Sequence, residues 1–254
     1  MRLGLVTYNL ARDWDLETII GNCEETGFEG VELRTTHAHG VEVDLSAEQR
    51  AAVRRRFEES AVELAGLGSA FEYHALDQGE LRRNIEGTKE YAELARDVGA
   101  PGVKVRPNGV HDEAGVPREK TFEQIGLALR ECGESAAGCG VEIRLEVHGP
   151  ITCHPPYIRR ILDHAGHDNV LACWNSNMDD LDGGGIDANF ALLRDRMGLV
   201  HINELWSGYP WKRLFQLLEE SSYQGYCLAE IPPSEDPLCL MRYYRALWAE
   251  LAGG

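Results

Sequence analysis

The sequence predicts a single (β/α)8 TIM barrel spanning residues 1–254, an α/β fold, and two observations carry that expectation. Short apolar runs of β-type composition recur about every 30 residues along the whole chain. Amphipathic segments with helical spacing separate them, and right-handed strand–helix–strand crossovers closing eight parallel strands are the dominant solution to that alternation. The rival architecture is an open doubly wound sheet. No GxGxxG turn follows the first run, which removes its usual dinucleotide-binding version. No linker, low-complexity tract or break in composition divides the chain.

Taken in order, LGLVTY (3–8) is the first strand, and DLETIIGNCEETG after it has the apolar spacing of a helix. The glycine that follows suits the left-handed turn between a helix and the next strand. GVELR (30–34) is the second strand, and Ser46, with Glu48 and Gln49 behind it, opens the helix over SAEQRAAVRRRFEESA as a capping residue. VELAGLGS (62–69) leads into NIEGTKEYAELARDVGA, and GVKVR (102–106) is the fourth strand. Thr121 with Gln124 marks a further helix start, and AAGCGVE again places glycine before a strand, VEIRLEV (141–147). VLACW (170–174), LVHIN (199–203) and YCLAEI (226–231) complete the set.

The formal net charge of −17 argues against a protein built to grip nucleic acid or an anionic membrane. The basic clusters at 54–56, 82–83 and 159–160 fall in helix-like stretches and read as solvated faces. No apolar run approaches the roughly 20 residues a bilayer span needs. The seven cysteines are odd in number and include no CxxC pair, which suggests reduced thiols. With an N-terminus that turns polar within ten residues, the expectation is a cytoplasmic protein with a small-molecule partner.

In a barrel, reactive groups sit at the C-terminal ends of the strands. The fifth strand ends in Glu146 and His148, the sixth runs into Trp174, Asn175 and Asn177, the seventh carries His201, Asn203 and Glu204, and the eighth ends in Glu230. Glu146, Asn175, His201 and Glu230 form a mixed oxygen and nitrogen set suited to one divalent ion such as Mn²⁺, Mg²⁺, Co²⁺ or Fe²⁺. Lys104 and Arg106 share a parity near the end of the fourth strand and face the same way. Trp174 reads equally as core packing or as a face on which a sugar stacks. Glu32, His37, His39, Glu72 and His74 extend the inventory, with the loop histidines expected in solvent. Trp206, Tyr209 and Trp211 suit either a roof over the pocket or a subunit contact in a homo-oligomer.

At GFEGVELR, ELARDVGAPGVKV, LEVHG, the WNSN region, VHINEL and LAEIP the sequence resembles the xylose isomerase-like TIM-barrel superfamily of sugar and sugar phosphate isomerases and epimerases. The resemblance covers essentially the whole chain. It implies one divalent metal held by Glu146, Asn175, His201 and Glu230, with Glu146 and Glu230 as acid and base in a proton transfer α to a carbonyl through an enediolate. It makes His148 a substrate-contacting neighbour, and Lys104, Arg106, Trp174, Asn177 and Glu204 complete the expected substrate-binding set. Two departures stand out. The family's Asp and His on the sixth strand are Asn175 and Met178, and its Lys-Asp after the seventh-strand histidine is Asn203-Glu204. An amide carries less charge than a carboxylate, so weaker cation binding is expected. Three other readings remain open at this stage: a metal-dependent lyase or dehydratase acting on a keto-sugar or keto-inositol, a sugar-binding barrel or complex subunit without catalysis, and an apurinic-site endonuclease, which Met178 and the net charge oppose.

Overall fold

The computed structural model describes residues 1–253 and shows a closed barrel of eight parallel strands in the order β1 to β8. The strands are β1 (Arg2–Val6), β2 (Gly30–Arg34), β3 (Glu63–Glu72), β4 (Gly102–Arg106), β5 (Glu142–Glu146), β6 (Val170–Asn175), β7 (Met197–Ile202) and β8 (Tyr226–Ala229). The ring closes through the pairing of β1 with β8, Arg2 opposite Tyr226 and Leu5 opposite Ala229. The helices that alternate with them are α1 (Leu16–Thr26), α2 (Ala47–Glu58), α3 (Gln78–Val98), α4 (Arg118–Gly138), α5 (Pro155–Ala165), α6 (Gly185–Leu193), α7 (Trp211–Glu220) and α8 (Pro237–Leu251).

Local chemistry places most of these boundaries where the sequence suggests. Ser46 and Gln49 form the reciprocal capping box of α2, and Gly27 and Gly99 take left-handed conformations that end α1 and α3. The expected start at Thr121 is a correction. Helix α4 begins at Arg118, directly after Pro117, and Thr121 is buried inside its first turns. A proline has no N–H to leave unpaired, so it supplies the start that the threonine pattern only resembles.

The period-2 alternation of each strand divides its side chains between two environments. Val31, Leu33, Val103, Val105, Ile143, Leu145, Val200 and Ile202 point outward into the main hydrophobic core beneath the helices. Their neighbours in sequence point into the barrel: Glu32, Lys104, Arg144, Glu146 and His201, all buried. The barrel interior holds its own apolar cluster of Val6, Ala65, Cys173, Leu199, Tyr226 and Leu228. Space for the charged residues comes from glycine in β3. A Cβ on Gly68 would lie 2.7 Å from Glu32 Oε1, so a larger residue there would displace that carboxylate.

Candidate active site

The inward-facing polar residues meet at the C-terminal end of the barrel. β5, β6 and β7 bring Glu146, Asn175 and His201 there by pairing side by side, Glu146 opposite Cys173 and Asn175 opposite His201. Glu230 follows one residue beyond β8, its N–H donating to the Ile202 carbonyl. Glu146, His201 and Glu230 each place a potential ligand atom within 4.8 Å of the others. His201 Nδ1 lies 3.3 Å from Glu146 Oε1 and 3.8 Å from Glu230 Oε2.

Two groups from the other half of the barrel fix this cluster. Lys104 Nζ donates to Glu146 Oε2 at 2.8 Å in a buried ion pair. Glu32, fully buried, sets Oε1 3.4 Å from His201 Nε2. A carboxylate behind the far nitrogen of an imidazole favours the tautomer with the proton on that side and leaves the near nitrogen as a donor pair. The sequence presents Glu32 in the middle of its strand, yet nothing along the chain reveals that it stands behind His201.

The charges follow from this packing. Burial alone would raise the Glu146 carboxyl, but the Lys104 ammonium, together with His201, holds it well below the usual carboxylate range. Burial raises Glu230, and the neighbouring Glu146 charge adds to that effect over the opposing pull of His201. Burial opposes a charged His201, while Cys173, Glu32 and Glu146 around it favour the imidazolium. The two carboxylates are thus driven in opposite directions, the pattern by which one site separates an acid from a base.

Several polar atoms here are buried without any hydrogen-bond partner: both carboxylate oxygens of Glu32, both ring nitrogens of His201, and Asn175 Oδ1. Buried polar groups are nearly always satisfied, so such a concentration calls for a ligand. Asn175 presents Nδ2 to Glu146 Oε1 at 3.2 Å. The two ends of an amide are isosteric, and a half-turn about its last bond brings the unpartnered oxygen into the same position. This donor set of carboxylates, imidazole and amide oxygen fits a divalent cation of the Mg²⁺–Mn²⁺–Co²⁺ type.

Above the cluster lies a cleft of about 90 Å³, walled by Tyr8, Arg34, Arg106 and His148. His148 Nδ1 pairs with Asn108 Oδ1 at 2.7 Å, and Arg106 Nη2 donates to Glu72 Oε1 at 2.6 Å. Arg34 Nη1 and Arg106 Nε have no partner. A larger surface hollow, about 450 Å³ between α3 and α4, mixes buried apolar side chains such as Ile85 with the Arg82–Glu131 surface ion pair and brings no carboxylate and imidazole together.

Of the residues expected to touch substrate, His148, Lys104 and Arg106 line this cleft and three others do not. Trp174 is fully buried on the outer side of β6, packs on Phe190 of α6 and donates from Nε1 to Tyr209 Oη. Its neighbours Cys173 and Asn175 face inward, so alternation sends it outward. Asn177 uses its amide on the Val147 and Asn175 carbonyls and caps the short 3-10 helix Met178–Leu181. Glu204 lies in the loop after β7, outside the cleft lining. Of the three aromatics expected as a roof or a subunit contact, Tyr209 and Trp211 are buried, and Trp206 is exposed but outside the cleft lining. Among the loop histidines, His39 is buried, with Nε2 hydrogen-bonded to the Arg34 carbonyl and Nδ1 accepting from Val41 N–H. Arg34 and Tyr8 were not anticipated as site residues; the parity of GVELR, which puts Arg34 on the face of Glu32, is the signal that would have found the first.

The chain belongs to the xylose isomerase-like TIM barrel family, whose profile matches residues 20–246. Among solved structures it resembles the IolI protein with a bound zinc atom, at 16% identity and a TM-score of 0.83, with 100% of this chain and 98% of that chain covered. It also resembles D-psicose 3-epimerase from Clostridium cellulolyticum H10, crystallised with D-tagatose, at 13% identity, a TM-score of 0.83 and 99% of both chains. A third is the 3-keto-D-glucoside 4-epimerase YcjR from E. coli, at 18% identity, a TM-score of 0.82, and 98% and 99% coverage. At these identities the likeness is one of fold. No curated protein sequence matches the chain. No helix among the described residues is long and apolar enough to cross a membrane.

Proposed function

We propose that the chain is a divalent-cation-dependent isomerase or epimerase of sugars, sugar phosphates or closely related polyhydroxy ketones. The observation that carries this reading is the convergence of Glu146, His201 and Glu230 on one point at the floor of the cleft, with buried polar atoms left unpartnered around it. Membership of the family and the epimerases among the structural neighbours support it. Glu146, Asn175, His201 and Glu230 would hold the cation. When bound, the cation supplies a Lewis acid that polarises a carbonyl and stabilises negative charge developing on its oxygen.

The chain's own residues supply the proton transfer. Glu146 and Glu230 approach the cleft floor from β5 and from the end of β8. Lys104 occupies Glu146 Oε2 and so fixes the carboxylate while leaving Oε1 directed at the centre. Glu230 has no lysine or arginine bonded to it, has His201 Nδ1 no nearer than 3.8 Å, and keeps a fifth of its side chain exposed, which leaves it free to take a proton from carbon α to a carbonyl and to hold it. Return of the proton to the neighbouring carbon isomerises the enediolate, and return to the opposite face epimerises it. His148, Arg106 and Arg34 stand where substrate oxygens would be oriented.

The test is a screen of ketoses and keto-sugars with Mn²⁺ in D₂O, following deuterium entry at the α-carbon by NMR. Exchange coupled to formation of an isomer or epimer supports the proposal. Exchange followed by loss of a β-substituent would redirect it to a lyase, and no exchange with any polyhydroxy ketone while the cation binds would overturn it.

A further inference from the structure

A second group of metal-binding side chains lies outside the barrel. Cys153 and His154 end the loop between β5 and α5, and Asp179 sits on the 3-10 helix Met178–Leu181 that follows β6. Cys153, His154 and Asp179 each offer one ligand atom within 4.8 Å of the others. His154 and Asp179 border a surface cavity of about 310 Å³ that also reaches Asp182, and Cys153 lies buried behind them.

The imidazole of His154 is the informative member. Its Nε2 lies 3.8 Å from Asp179 Oδ1 and its Nδ1 lies 3.8 Å from Asp182 Oδ2. Both separations exceed hydrogen-bond length. Four-coordinate zinc, with bonds of about 2.0–2.3 Å, holds its ligands about 3.3–3.7 Å apart, close to the spacing of the first pair. The ring is steadied by edge contact with Tyr157 at 5.9 Å. Asp182, on the far nitrogen, occupies the place of the carboxylate that orients a metal-bound histidine. The segment carrying Asp179 is also framed: Asn177 and Asp180 close a capping box, and Asn189 Nδ2 donates to the carbonyls of Asp180 and Asp182 at 2.9 Å.

We propose that Cys153, His154 and Asp179 bind one zinc ion or a similar thiophilic divalent cation at the rim, with Asp182 orienting the imidazole. The proposal is independent of the barrel chemistry. The donor set differs in kind, since a thiolate selects a softer ion than the oxygen-rich cluster below. Thiolate and carboxylate together carry the two negative charges such an ion neutralises. The consequence is mechanical: the ion ties the loop after β5 to the loop after β6, the two segments that continue from Glu146 and Asn175. Thiolate ligation displaces the thiol proton, so loading should strengthen as pH rises.

Cobalt(II) gives the test, because a thiolate ligand produces a near-ultraviolet charge-transfer band that the sulfur-free barrel set does not. Titration of the full chain should raise that band to saturation within two equivalents, since the barrel cluster can take up a second cobalt without adding to the band. Cys153→Ser should abolish it, His154→Gln should weaken binding at least tenfold, and Glu230→Gln in the barrel should leave it intact. A wild-type protein without the band, or a band that survives in Cys153→Ser, overturns the proposal. Zinc content after dialysis gives a second reading: Cys153→Ser should retain one equivalent fewer than the wild type, and equal content would also count against it.

Discussion

Both ends of the barrel bury charge, and they treat it differently. Toward the N-terminal end, Arg144 lies inside the cylinder with its donors used: Nε bonds Glu142 Oε2 at 2.9 Å and Nη1 bonds the Ala65 carbonyl at 2.8 Å. At the C-terminal end, Glu32, Asn175 and His201 are as deeply buried, yet they keep polar atoms with no partner. Satisfied buried charge is structural, whereas buried polar atoms without a partner mark a candidate site, where stability is commonly forgone for binding.

That contrast can be broken by substitution, and the largest effect is expected at the upper end. Glu146→Gln and Glu230→Gln should each lower turnover per folded molecule by about 10²–10⁴-fold, measured as the rate of α-carbon deuterium exchange. Near-wild-type exchange in either variant would remove that residue from the proton transfer. Arg144→Leu at the lower end should do the reverse. It should cost about 2–3 kcal/mol in chemical denaturation, because Ala65 C=O and the half-exposed Glu142 lose a charged donor, while exchange per folded molecule stays unchanged.

Asn175→Asp sharpens the comparison by changing charge without changing size. The new carboxylate would face Glu146, whose Oε1 now accepts from the amide at 3.2 Å, so the metal-free protein should melt at lower temperature. Added Mn²⁺ should then raise the melting temperature more than in the wild type, with affinity at least about tenfold tighter, equivalent to about 1.4 kcal/mol. Equal responses in the two proteins would show that Asn175 is not a ligand.

The smallest effect belongs to His37, on the loop after β2. Burial first, then the neighbouring His39, Arg34 and Arg12, lower it to about 4. In the unfolded chain the ring takes a proton near its ordinary value of 6.5, so its contribution to stability is present above that pH and is lost as pH falls toward 4. Between pH 7 and 5 the wild type should lose about 1 kcal/mol or less relative to His37→Gln, since solvent reaches the ring and screens it. A pH dependence identical in both proteins would assign the loss to other groups.

How much of this was legible along the chain depended on the range of the interaction. The eight strand-like runs, the Ser46 cap and the glycines after α1 and α3 are local, and they are written in alternation, capping chemistry and turn preference. The positions of Glu146, Asn175, His201 and Glu230 followed as soon as the strands were placed in order, because a parallel barrel puts all strand ends of one sense on one rim. Trp174 shows the limit of inspecting strand ends without counting faces. It sits among site residues in sequence and points away from them, and parity alone separates the two.

The sequence by itself therefore determined the fold family and the rim of the barrel on which Glu146, His201 and Glu230 converge. Tertiary structure alone decided that Lys104 anchors Glu146, that Glu32 stands behind His201, and that Cys153 and Asp179 meet across two loops. Those pairings join residues from different strands and loops, and their distances depend on how the sheet closes and how glycine in β3 makes room inside it. Such contacts are set by packing in three dimensions, which no periodicity along a single chain encodes.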